Sequence, residues 1–129
     1  MCFYIQKGKN SKPKVAKQNI TCYKVFYRSD CSGNQHGSYV KSYYQSFKYK
    51  IGVLYELDGY MVPIKGYRND TIEVGLHSYS TRAKAFREKG GWDYKVIHEC
   101  IIPKGSIYYH NDYKEEYVSD QIIIVKRHV

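Results

Sequence analysis

An α+β fold, one compact domain over residues 1–129 with a mostly antiparallel or mixed β-sheet and one short helix, is predicted by three features of the sequence. Apolar and β-branched runs of strand length recur along the chain, notably 21–27, 71–76, 94–102 and 122–125. Turn dipeptides separate them, Asp58-Gly59 being the strongest. Only one stretch, 81–89, has helical composition with a start and a stop signal.

Residues 6–19 carry Gly8, Asn10, Ser11 and Pro13 among five lysines and read as a basic irregular arm. The first strand is 21–27, with Tyr23, Val25 and Tyr27 on one face and Cys22, Lys24 and Phe26 on the other. Arg28 ends it. Residues 29–38 are a loop by composition, and Tyr39 to Phe47 is a second extended segment. Residues 53–57 and 60–64 are expected to pair as a hairpin about Asp58-Gly59, with Pro63 placing the second strand at an edge. A strand over 71–76 follows. Ser80 is then the expected N-cap of the helix, Gly90-Gly91 its stop, and Ala83 and Phe86 its apolar face. Two central strands close the domain, 94–102 and 122–125. Between them lie the turn 103–106, Tyr108-Tyr109 and a polar segment ending in Ser119-Asp120-Gln121.

A chain of 129 residues buries roughly two-thirds of its unfolded surface, enough to fold without a disulfide or metal. Its 43% hydrophobic and 26% charged residues exclude a disordered class. No apolar run approaches the ~18 residues of a membrane span, and lysines follow Met1-Cys2-Phe3-Tyr4 where a signal core would be apolar. A cytoplasmic protein with no membrane partner is expected. The four cysteines, at positions 2, 22, 31 and 100, include no Cys-x-x-Cys pair, so reduced thiols are expected and zinc is not. A net charge of +9 favours anionic partners, and sixteen tyrosines supply flat surface for a sheet or a nucleobase.

Catalytic patterns are scarce. Two-histidine phosphodiesterases need two His-x-Ser/Thr motifs, and only His36-Gly37-Ser38 fits. No phosphate loop, dinucleotide fingerprint or compact His/Asp set is present, and no cofactor is implied. Cys100, two residues from His98 on a strand, reads as a packing residue. Two stretches suit ligand contact better. In 75–81, His77, Ser78 and Ser80 lead into the helix, whose free N–H groups attract phosphate. In 103–106, backbone N–H groups and Lys104 can form an anion nest.

Residues 1–4, 20–25, 75–79 and the run Cys100-Ile101-Ile102-Pro103-Lys104-Gly105-Ser106-Ile107-Tyr108-Tyr109 with 119–122 resemble small uncharacterised proteins of bacteriophages and gut bacteria. That resemblance implies a phage or prophage origin. In a second one, Tyr27-Arg28, Ser78-Tyr79-Ser80-Thr81 and Ser119-Asp120-Gln121 are similar in order to motifs of ADP-ribosyltransferase-like domains. It implies a nucleotide-shaped pocket. Gln121 stands where that family carries a catalytic glutamate, and an uncharged amide cannot stabilise a cationic transition state. The expectation is therefore a phage-type protein that sequesters a nucleotide immune signal, cyclic or ADP-ribose-derived, without turnover in the infected bacterial host. Its expected ligand residues are Arg28, His77, Ser78, Ser80, Lys104, Tyr108, Tyr109 and Gln121. The enzyme alternative assigns turnover to His77 or His98 with Glu99 or Glu116, and a third reading is nucleic-acid binding.

Overall fold

The computed structural model describes residues 3–27, 39–42, 48–91 and 94–128. In chain order the strands are β1 (Phe3–Tyr4), β2 (Lys14–Val15), β3 (Ile20–Tyr27), β4 (Tyr39–Ser42), β5 (Lys48–Lys50) and β6 (Leu54–Glu56). They continue with β7 (Thr71–Ile72), β8 (Leu76–Tyr79), helix α1 (Arg82–Lys89), β9 (Lys95–Ile102), β10 (Ile107–Asn111), β11 (Glu116–Ser119) and β12 (Gln121–His128). Every strand pairing among the described residues is antiparallel. The main sheet runs β2-β10-β11-β8-β3-β9-β12-β6, with β4 also on β3 and β5 on β4, while β1 and β7 form a separate ribbon.

β3 and β9 make the centre, paired from Ile20↔Ile102 to Tyr27↔Lys95. With β12 on its other edge, β9 is paired along both edges at the centre of the sheet, and six of its eight residues are buried, Lys95 and His98 among them. The sheet is folded over on itself. β11 and β12 are separated by β8, β3 and β9, about 19 Å across a flat sheet at ~4.8 Å per strand. Yet Asp120 alone joins them, and two peptide steps reach under about 8 Å. The fold line is the edge of β3. There β8 pairs through the single position Tyr23↔Tyr79, and β4 takes over that edge at Phe26↔Ser42. Lys24 lies at the hand-over.

The inner face of the fold buries Cys22, Phe26, Tyr49, Val96, Cys100, Ile102, Ile122 and Ile124, with Leu76 and Tyr117 packed against them from the other half-sheet. Outside, Ala85 of α1 packs on Val25, Tyr79 and Ile97. The β1–β7 ribbon lays Phe3, Ile5 and Ile72 on Tyr109 and Val118. The predicted two faces of residues 21–27 are thus the inner and outer faces of β3.

Four sequence expectations change. The hairpin over 53–64 does not form: β6 pairs β12, from Leu54↔Ile123 to Glu56↔Gln121, and of 60–64 only Ile64 bridges, to Thr71. Asp58-Gly59 does reverse the chain, Gly59 having φ 108, but the isoleucine-rich edge of β12 offers Tyr55 more apolar contact than Pro63 and its neighbours do. The helix begins one residue late. Thr81 is the cap, its Oγ1 accepting from the Lys84 N–H at 3.1 Å, because the Ser80 N–H is already donated to the Glu115 carbonyl. The helix buries Ala85, whereas Ala83 and Phe86 are exposed, and the Arg82 guanidinium lies 5.1 Å from the Phe86 ring. The polar segment after Tyr108 is the β10–β11 hairpin.

The run 71–76, expected as one strand, is broken into β7 and β8 with Gly75 at the break. A Cβ at Gly75 would stand 2.4 Å from Cγ2 of Val118 and 3.3 Å from Sδ of Met61. Gly75→Ala is therefore expected to push β8 away from β11 and lower stability by about 1–3 kcal/mol. Denaturant unfolding checks this, and an unchanged midpoint would mean that the strands have room to spare.

The lysine-rich stretch 6–19 has little regular structure, as expected, but it is docked. Ala16 and Asn10 are each 2% exposed. Asn10 donates to Gln6 Oε1 at 3.0 Å and Asp112 Oδ2 at 2.8 Å, and accepts from Lys14 Nζ at 2.6 Å. Lysine spacing carries no sign of this, because the attachment is made by the amide side chains of Asn10 and Gln6 and by backbone pairing with β10. Residues 28–38 and 43–47, with Arg28 and His36-Gly37-Ser38, lie outside the described residues.

Candidate ligand-binding groove

The docked arm builds one wall of a groove. β2 pairs the edge of β10 at Val15↔Ile107 and Lys14↔Tyr108. The ladder continues as Ala16 donates to the Ser106 carbonyl and accepts from the Gly105 N–H, both at 2.8 Å. Gly105 has φ 91, a conformation that the 103–106 turn leaves to glycine. The Lys104 N–H donates to Oδ1 of Asn19 at 2.9 Å, tying this turn to the chain just before β3. Lys14, Val15, Lys17, Gln18, Ile20 and Tyr108 line the resulting concavity of about 790 Å³. That volume is within the range of small-molecule sites. Tyr108 is held edge-on by Tyr117, ring centroids 5.8 Å apart at 75°.

A second cavity, of about 270 Å³, opens between Tyr49, Tyr55, Glu56, Leu57, Asp58 and the 73–76 segment. Glu56, Asp58 and Glu73 among its walls oppose phosphate, so an anionic ligand is directed to the lysine groove. Tyr49 and Tyr55 meet edge to face at 5.0 Å, and burial pushes the Tyr49 hydroxyl up to about 12.

Behind Tyr49 the inner face is polar. Lys24 Nζ donates to the His77 carbonyl at 2.6 Å and lies 5.6 Å from the Tyr49 ring, which satisfies an acceptor left where β8 departs from β3. Burial lowers the proton affinity of Lys24, opposed by Cys100 and Cys22. Cys22 stands directly across from Cys100, and both are free thiols with no exposure. Burial pushes the Cys22 thiol up, but the neighbouring Cys100 and Ser78 side chains and the charge of Lys24 outweigh it and hold Cys22 below its ordinary value. Cys100 is raised by burial and by Cys22.

The expected ligand residues are dispersed by this geometry. Tyr108 lines the groove, and Lys104 is in the turn bounding it. Tyr109 faces the other side of β10, 4% exposed and 6.4 Å from the Phe3 ring, as a core residue. His77 and Ser78 are buried on opposite faces of β8. Neither ring nitrogen of His77 has a hydrogen-bond partner among the described residues, while Ser78 lies against Cys22. Ser80 is the link between β8 and the helix cap. Gln121 accepts from Ser106 Oγ at 3.0 Å and donates to Glu56 Oε1 at 3.1 Å, so its amide ties the 103–106 turn to β6. Lys14, Lys17 and Gln18 were outside the expected set; their signal was the lysine cluster, read as a solvated arm because nothing in it announces the pairing with β10. Among the described residues no cluster of three or more His, Cys, Asp or Glu suits a metal ion, and no helix is long and apolar enough to cross a membrane.

No protein-family model, curated protein or solved structure matches the chain. Fold and groove together define a mostly antiparallel β-sheet domain with one short helix and a basic, tyrosine-lined concavity at its sheet edge.

Proposed function

We propose that this protein binds an anionic nucleotide in the β2–β10 groove and holds it without turnover, sequestering a nucleotide signal of the host's immune response. The observation that carries this reading is the joint presence of Lys14, Lys17 and Tyr108 on one concave surface of about 790 Å³. Ammonium groups take phosphate oxygens through charge-assisted hydrogen bonds, and a tyrosine ring takes a base by stacking. Retention without chemistry is the reading this surface supports, since no histidine, cysteine or carboxylate stands among the described residues that line it. The ADP-ribosyltransferase-like resemblance belongs to this proposal too. In it Ser78-Tyr79-Ser80-Thr81 runs from β8 into the cap of α1, and Gln121 opens β12. With its amide engaged by Ser106 and Glu56, Gln121 supports binding over transfer.

Calorimetry against cyclic nucleotides and cyclic ADP-ribose isomers tests the proposal. Micromolar binding is expected, with the ligand returned intact on heat denaturation. The double variant Lys14→Glu/Lys17→Glu should weaken it by at least about a hundredfold, as each lost charged hydrogen bond is worth roughly 1.5–3 kcal/mol. Absence of heat across the panel overturns nucleotide binding, and new products on chromatography overturn sequestration in favour of an enzyme. Tighter binding to any single-stranded oligonucleotide, falling steeply with salt, moves the reading to nucleic acid.

A further inference from the structure

The inner face of β3 and β9 holds a pair of thiols that nucleotide binding does not use. Cys22 and Cys100 are direct partners in the antiparallel ladder. Such partners have Cα atoms about 4.5–5.5 Å apart, inside the ~4.4–6.8 Å span of a disulfide. Their side chains share one apolar cluster and hydrogen-bond to each other. The surroundings of the two sulfurs differ. Cys22 has the Ser78 hydroxyl and the Lys24 ammonium beside it, whereas Cys100 has the His98 carbonyl as acceptor at 3.5 Å.

We propose that Cys22 and Cys100 form a peroxide-reactive dithiol, with Cys22 as the attacking sulfur and Cys100 as the resolving one. In the first step the Cys22 thiolate attacks one oxygen of hydrogen peroxide. An S–O bond forms, the O–O bond breaks, and the leaving hydroxide takes up the proton that Cys22 released, as water, so that Cys22 becomes a sulfenic acid. In the second the Cys100 sulfur attacks Cys22, the S–O bond breaks, and the departing hydroxide takes the Cys100 proton as water. The sum converts two thiols and one peroxide into one disulfide and two waters. The Lys24 ammonium beside Cys22 favours a thiolate there, while Cys100 gives its S–H to the His98 carbonyl at 3.5 Å, and these neighbours divide the roles in this order. Neither sulfur is exposed, so peroxide, little larger than water, reaches them by a local opening of the inner face. Tyr49 and Leu76 wall the 270 Å³ cavity on one side and pack against the cysteine cluster on the other. Closing the disulfide removes the thiolate that Lys24 attracts, leaving its ammonium the His77 carbonyl.

The unaltered 129-residue chain is treated with hydrogen peroxide, its remaining thiols are alkylated, and peptides are mapped. The expected product links Cys22 to Cys100, is reversed by dithiothreitol, and forms about tenfold faster in the folded protein than in urea. Cys100→Ser should stop at a dimedone-reactive Cys22, and Lys24→Met should slow that first step. Cysteines 22 and 100 remaining reduced in the folded protein, or linking no faster folded than unfolded, overturns the proposal. So does linkage confined to Cys2 or Cys31. The linked peptide is read on the natural sequence, so the test stands even if a variant misfolds.

Discussion

Phe26→Ala is expected to lower the stability of the domain by about 3–5 kcal/mol, the range for removing a fully buried aromatic ring. Phe26 has no exposure and meets Tyr49 edge to face at 5.8 Å and 68° and His98 at 5.4 Å and 85°. It thereby joins β3 to β9 and to the β4–β5 ribbon. Alanine would leave a cavity that β3, hydrogen-bonded to β9 along its whole length, cannot close by shifting. A loss of this size is about a fifth or more of the ~5–15 kcal/mol of an ordinary domain. Urea unfolding should show a much lower midpoint with a near-constant slope. Phe86→Ala is the control: that ring is 40% exposed on α1 and should lose less than about 1 kcal/mol. Equal losses in the two variants would contradict the inner-face packing.

Acid should weaken the fold through His77. Burial first, and the charge of Lys24 next, lower its pKa from 6.5 to about 4, against a smaller opposing contribution from the Glu73 backbone. The folded protein therefore keeps the ring neutral at a pH where the unfolded chain has already bound a proton. Above 6.5 neither state is protonated there and the stability is complete. Between 6.5 and about 4 the unfolded state holds more protons, so stability falls as pH falls. The full loss is roughly 3 kcal/mol, reached near pH 4, at about 1.4 kcal/mol per unit. His110 is also lowered by burial and adds to the same slope, while Glu116, raised by burial, acts in the opposite sense. The test is therefore a difference. Unfolding of the natural chain and of His77→Leu from pH 7.5 to 4 should diverge by that amount, and parallel curves would remove His77 from the acid response.

The residues most readable in the sequence were those whose role depends on their own strand. Alternation alone put Val25 opposite Phe26 in facing, and these two sides are the outer and inner faces of β3. Lys104 and Tyr108 were legible as a charge beside an aromatic at a turn, and they bound or line the groove. Tyr109 was not separable from Tyr108, because period-two geometry says that neighbours face opposite ways but not which way the core lies. Ser80 failed as a cap through a remote hydrogen bond, and the Asp58-Gly59 hairpin failed through a remote strand.

Local chemistry by itself determined that this chain makes β-strands with one short helix, placed β3, β6, α1, β9 and β12 to within a few residues, and gave the chain its net positive charge. Pairing was decided only by the tertiary structure. Lys14 and Lys17 became a wall because a two-residue strand found the edge of β10. Cys22 met Cys100 across 77 intervening positions because β3 and β9 are in register there. Alternation and turn signals act over a few residues. Strand order, and the fold line beside Lys24, depend on which distant edges bury the most apolar surface together.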